Sequence, residues 1–138
     1  MDIARIKSPK AQTLTTLTSA NVILSELLFE DSSGVVKANT SSGSITVSEA
    51  GYYLVIFDAL VTGAGAPFIA LSGNGFSAAL SGIEFLQFDA DATGVSKGRM
   101  VLLQMVAGAD VGLFASNPSG VTLTFLCTLG VVKMADVG

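Results

Sequence analysis

The sequence predicts an all-β fold: a single antiparallel sandwich or barrel that associates with copies of itself. Three observations predict it. Alternating apolar runs are cut by Gly, Ser, Asn and Asp clusters about every eight to twelve residues, the rhythm of short strands joined by turns. Several of those runs are apolar on both faces, whereas a strand with one face in water alternates apolar with polar. Charged residues make up 13% of a chain that is 50% hydrophobic, about half the usual charged share of roughly 25%. A lone copy would therefore expose apolar surface that fits a partner.

The 138 residues suffice for one domain with a sizeable core. Residues 1–13 read as an N-terminal arm, being charged, interrupted by Pro9 and without sustained periodicity. Residues 14–138 read as one domain of uniform texture with no internal repeat.

Within that domain, residues 22–29 have apolar spacing compatible with a helix that Ser19 could cap, but the strand-rich context favours a strand. Residues 43–47 form a short strand candidate. After Gly51 comes a clear strand, with Tyr53, Val55, Phe57, Ala59 and Val61 on one face. Tyr52, Leu54, Ile56, Asp58 and Leu60 fall on the other, and only Asp58 is polar. A strand greasy on both sides needs the sandwich core on one side and another subunit on the other. Residues 99–106 are similar, Val101, Leu103 and Met105 opposing Met100, Leu102 and Val106. Shorter candidates are 68–71, 83–88 and 111–115. The last strand, 121–131, alternates Val121, Leu123, Phe125, Cys127, Leu129 and Val131 with Thr122, Thr124, Leu126, Thr128 and Gly130. Turn signals fall at 31–34, 72–75, 92–94 and 117–120.

Composition removes several function classes. There is no histidine, which excludes Ser-His-Asp and Cys-His catalysis and the commonest zinc sites. Cys127 is the single cysteine, so an intrachain disulfide is impossible, and its place on an apolar face reads as an inert core thiol. Glu84, Asp89 and Asp91 lie near one strand end; without EF-hand spacing they read as a solvated loop in preference to a calcium site. Asp58 has no second acid beside it for catalysis and reads as a paired or hydrated group at a subunit rim. The glycine-rich stretch 72–76 lacks the Gly-Lys-Ser/Thr ending of a phosphate loop and reads as a turn. Tyr52 and Tyr53 could stack on sugars, but aromatics in alternating strands read first as core or interface. No cofactor, metal or catalytic residue is expected, and the chain is not expected to be an enzyme.

The charge is unevenly spread. The first ten residues hold Arg5, Lys7 and Lys10 against Asp2, and the remaining 128 hold four basic and ten acidic residues. So acidic a domain repels phosphates, which argues against nucleic acid. The basic residues Arg5, Lys7 and Lys10 are candidates for contact with an acidic surface. No run reaches the roughly 18 apolar residues of a membrane span, and Thr13, Thr15, Thr16 and Thr18 interrupt any signal-peptide core. The expectation is a protein made in the cytoplasm that does not use a cleaved secretion signal.

Three stretches carry a family resemblance. VILSELLF at 22–29 ends in an aromatic residue before Glu30. GSITVSEAGYYL at 43–54 is a short alternating strand, a glycine and two aromatics. MVLLQMVAGADVGLF at 100–114 is a strand, a glycine- and aspartate-containing turn and a second strand. Over roughly residues 20–133 this order resembles the globular head of complement component one-q and the wider tumour-necrosis-factor-like jelly-roll superfamily. It departs from the family in having Gly108-Ala-Asp110 where glycine usually precedes aspartate directly. The texture is closest to spore-surface collagen-like glycoprotein heads and to trimeric jelly rolls on bacteriophage virions, although no Gly-X-Y tract is present.

The resemblance implies an antiparallel jelly-roll sandwich assembled as a homotrimer through an apolar sheet face, with Tyr52, Leu54, Ile56, Asp58 and Leu60 as interface candidates. It further implies a non-enzymatic structural role on a virion surface, as a capsid decoration or cement protein. The partners would be itself and a capsid or other surface-layer protein, with no nucleic acid and no membrane. A receptor- or glycan-binding head of a phage fibre, or of a bacterial cell or spore surface, is the alternative.

Overall fold

A computed structural model describes residues 1–77 and 84–137. Among the described residues eleven strands are arranged antiparallel: β1 Ile3–Lys7, β2 Gln12–Leu14, β3 Thr18–Asn21, β4 Glu26–Glu30, β5 Val36–Asn39, β6 Ser44–Val47, β7 Gly51–Thr62, β8 Phe68–Phe76, β9 Phe85–Gln87, β10 Val95–Asn117 and β11 Leu123–Asp136. The main ladder runs β4-β1-β11-β7-β10-β6-β5. β2 joins β11, β3 and β8 join β10, and β9 joins β8.

The ladder folds over on itself at β10. Its first part, from Val95 to Met105, pairs with β7; its second part pairs with β6, β8 and β3. Between Met105 and Asp110 the register shifts, and Gly108 adopts a φ of 86°. The segment expected to be a turn at Gly108–Asp110 is thus a bulge inside one continuous strand. A bulge adds twist and bend without ending the strand, and here it carries the chain from one layer to the other. β5 then lies against β1 and β11 without pairing to either, which makes a two-layer, jelly-roll-like sandwich.

The period-two pattern decides the core. Tyr53, Val55, Phe57, Ala59 and Val61 of β7 are all fully buried, with Val101, Leu103 and Met105 of β10 and Phe125, Cys127 and Leu129 of β11 beside them. The second layer contributes Ile45, Val47, Ile69, Val111 and Leu113. The hydroxyl of Tyr53 donates to Glu49 O at 2.7 Å, so the ring enters the core without an orphaned polar group.

Several expectations need correction. Residues 1–13 are not an arm separate from the domain. β1 lies between β11 and β4, and Ala4 and Ile6 are fully buried; two inward residues on a short strand are too few to show as periodicity. Residues 22–29 are neither one strand nor a helix. β3 ends at Asn21, β4 begins at Glu26, and buried Val22 and Leu24 anchor the crossing between them. The stretch 72–75 continues β8, pairing with β10 through main-chain groups even though Gly73 and Gly75 have φ of 126° and 81°. β9 lies within the expected strand 83–88, of which Ile83 falls outside the described residues. The turns at 31–34, 92–94 and 117–120 stand where the turn residues put them.

Candidate functional site

Two surfaces stand out, one on each layer. The first is the outward face of β7. Tyr52, Leu54, Ile56 and Asp58 are partly exposed and Leu60 is 39% exposed, the reverse of their fully buried neighbours. Register extends this face sideways. Ile56 lies beside Met100 of β10 and Gly130 of β11, Leu54 beside Leu102 and Val132, and Leu60 beside Leu126. Met100 is 57% exposed, so the face stays apolar across three strands. It continues to the sheet edge, where Leu27, Leu28 and Phe29 of β4 are 51%, 45% and 53% exposed. Among the described residues β4 pairs only with β1. An edge strand that is apolar on both faces is an open invitation to pairing or packing. Asp58, between Thr128 and Gly98, is a polar interruption of this face.

The structure separates the three basic residues proposed for an acidic partner. Arg5 belongs to the same outward face: its stem covers Gly130, where an added Cβ would stand 3.0 Å from Arg5 Cγ. Lys7 lies 3.7 Å from Glu26 of β4. Lys10 is exposed in the connection from β1 to β2. They form no free cationic arm.

The second surface is a polar cleft of about 480 Å³ on the outer face of the other layer. Its floor is glycine: Gly112 of β10, Gly73 of β8 and Gly43 of the turn before β6. Gly43 has φ 71°, and a Cβ on Gly112 would come within 3.2 Å of Gly43 O, so backbone geometry keeps the floor bare. The walls are small and polar: Asn21, Asn39, Ser44, Thr46, Ser72 and Asp110. Asp110 Oδ1 accepts Asn74 N at 3.1 Å and Asn74 Nδ2 at 3.3 Å. Sequence reading missed this cleft, because its walls come from five segments far apart in the chain.

Of the remaining candidates, Cys127 and Asp91 are tied into the fold. Cys127 is buried, and burial, reinforced by the negative charge of Asp58, pushes its thiol up to about 12. Asp91 accepts hydrogen bonds from Thr93 Oγ1 at 2.6 Å and Thr93 N at 2.9 Å. These bonds hold its carboxyl below the usual range and close the turn before β10. Glu84, Asp89 and Asp91 do not converge; among the described residues no group of three metal-ligating side chains does. Tyr53 is core and Tyr52 faces outward.

Comparison with known proteins gives fold and nothing finer. No family model and no curated protein sequence matches. Solved structures do. The globular domain of zebrafish complement 1qA protein superposes with a TM-score of 0.66 at 10% identity, over 99% of this chain and 100% of that one. Eiger TNF from S. frugiperda gives 0.65 at 16% identity, over 99% and 94%. Murine APRIL at pH 5.0 gives 0.63 at 11% identity, over 96% and 98%. The chain has the jelly-roll fold of complement one-q and tumour-necrosis-factor domains.

Proposed function

We propose, on the premise of that fold, that this protein is a non-enzymatic homotrimeric building block that decorates or cements a virion surface. The observation that carries the trimer is the outward face of β7. Leu54, Ile56 and Leu60, with Met100 and Leu126 beside them, present apolar side chains where a monomer would present polar ones. Laying the apolar β4 edge of one copy on the β7–β10 face of the next is a heterologous contact, and such contacts close into a ring when the rotation allows. Three copies so joined cover both apolar features. The absence of histidine and the inert state of Cys127 favour assembly over catalysis. The placement on a virion rests on the family texture of the sequence.

Light scattering on the purified chain tests the assembly: the expected mass is three times the 14.0 kDa of one chain. Ile56→Glu places a carboxylate in the centre of the interface and is expected to give folded monomer. A wild-type chain that stays monomeric at micromolar concentration overturns the trimer. The surface role is tested by co-sedimentation of trimers with undecorated capsids. If Lys7→Glu/Lys10→Glu trimers load as well as wild type, the basic residues are not the contact.

A further inference from the structure

We infer that the glycine-floored cleft on the outer layer is a binding site for a neutral saccharide unit. It lies on the layer that the trimer reading leaves uncovered, and it stands whether or not that reading does.

The cleft selects its ligand by chemistry. Among the described residues Asp110 is its one charged lining group, so phosphates, sulfates and carboxylates are repelled. Its walls are hydroxyls and amides with little apolar lining, which disfavours lipids and aromatic metabolites. One carboxylate with no other acid beside it is a poor cation site. What remains is a ligand rich in hydroxyl groups and without net charge.

The polar groups are available and held in place. Among the described residues, the side chains of Asn21, Thr46 and Ser72 make no hydrogen bond within the chain, although each carries donors and acceptors. Asp110 Oδ1 is engaged by Asn74, which fixes the carboxylate and leaves Oδ2 to accept hydrogen bonds from ligand hydroxyls. The volume of about 480 Å³ lies in the range of roughly 300–1,000 Å³ typical of small-ligand sites. The floor is rigid main chain, so little ordering cost falls on binding.

An apolar platform completes the site. Phe114 is the next outward residue on β10 after Gly112 and pairs in register with Asn21 of the cleft wall. It remains partly exposed, as are Ala70 and Phe85 in the same cross-strand row. Phe85 in turn meets Phe68 with ring centroids 5.3 Å apart. A sugar ring has an apolar C–H face and a polar rim, and a phenyl ring at the Asn21 end of a polar cleft offers a surface for each.

The test uses the full chain on an array of neutral and acidic glycans, followed by calorimetric titration of the best neutral saccharide. Neutral glycans are expected to be retained and sialylated or sulfated ones rejected. Ser72→Phe fills the cleft from an outward, solvent-facing position and is expected to weaken binding at least about tenfold, equal to 1.4 kcal/mol. Phe114→Ala is expected to weaken it about fivefold, the scale of one aromatic contact. Both variants should keep the wild-type mass and melting temperature, while Ile56→Glu should lose mass and keep binding. The inference is overturned if no neutral glycan binds at millimolar concentration, if acidic glycans bind better, or if folded Ser72→Phe and Phe114→Ala bind like wild type.

Discussion

Asn117 is 1% exposed at the end of β10, and its replacement should be among the most damaging single changes away from the apolar core. Its Nδ2 donates to Leu14 O at 3.0 Å, Thr15 O at 3.2 Å and Val121 O at 2.7 Å. Its Oδ1 accepts Ser119 N at 3.1 Å and the Ser119 hydroxyl. One amide thus ties the end of β2, the end of β10 and the approach to β11. The amide has two protons for three carbonyls, so one proton is shared. In Asn117→Ala these Nδ2 bonds vanish, at about 0.5–1.5 kcal/mol each; Thr15 O keeps the Thr18 amide and hydroxyl as donors, while Leu14 O and Val121 O lose the Asn117 amide. The expected loss is about 3 kcal/mol. Asn117→Asp keeps the shape but turns an acceptor toward three carbonyl oxygens, so at pH 7 it should cost more than the alanine. With no donors from those carbonyls, burial raises this carboxyl above its unfolded value, so the aspartate variant should regain stability as pH falls. Urea unfolding, compared at equal protomer concentration because association shifts the midpoint, gives the difference by linear extrapolation. An alanine variant within about 0.5 kcal/mol of wild type, or an aspartate variant more stable than the alanine at pH 7, would refute the account.

Cys127 should resist a thiol reagent at pH 8 in the folded protein and react fully in denaturant; rapid labelling of native protein would show that the strand opens. Its thiol is pushed from the ordinary 9.0 to about 12, so the unfolded chain ionises there and the folded one does not. Wild type should therefore lose stability relative to Cys127→Ala as pH rises above about 9, by up to roughly 1.4 kcal/mol per pH unit; parallel curves from pH 8 to 11 would contradict this. Gly51→Ala puts a Cβ 2.7 Å from Ala135 O, and is expected to lower the melting temperature measurably, with an unchanged midpoint as the contrary result. Acid should weaken the Asp91 turn: its carboxyl is held low, so the stabilisation is present above the unfolded value and fades as pH falls below it. Asp91→Asn, with a side chain that cannot ionise, should show a flatter acid limb in the same unfolding assay.

What could be read in the chain followed from how locally it was encoded. β7 declares itself because its inward and outward sets alternate without a break over 12 residues, and β11 because its first seven residues, Leu123 to Leu129, do the same. β1 has only Ala4 and Ile6 to show, and Arg5 and Lys7 between and after them suggested an arm. Glycine read as a turn was correct at Gly34 and Gly94, and failed at Gly73 and Gly75, where the backbone turns left-handed while β8 keeps pairing. Gly51, after which the sequence placed a strand, itself opens β7, and what it supplies is room for the Ala135 carbonyl. The candidate interface was legible because it is one face of one strand. The cleft was not, since Asn21, Asn39, Ser72 and Asp110 meet only after β10 changes layer.

That change of layer has a mechanical consequence. Because β10 serves as a rib of both walls, neither wall can peel away while the other stays intact. Pulling β7 off its neighbour loosens the same strand that holds β8 and β3. The two halves of the sandwich should therefore open together, as one cooperative unit. A particle coat assembled from such units would give way by shedding whole subunits before any subunit frays.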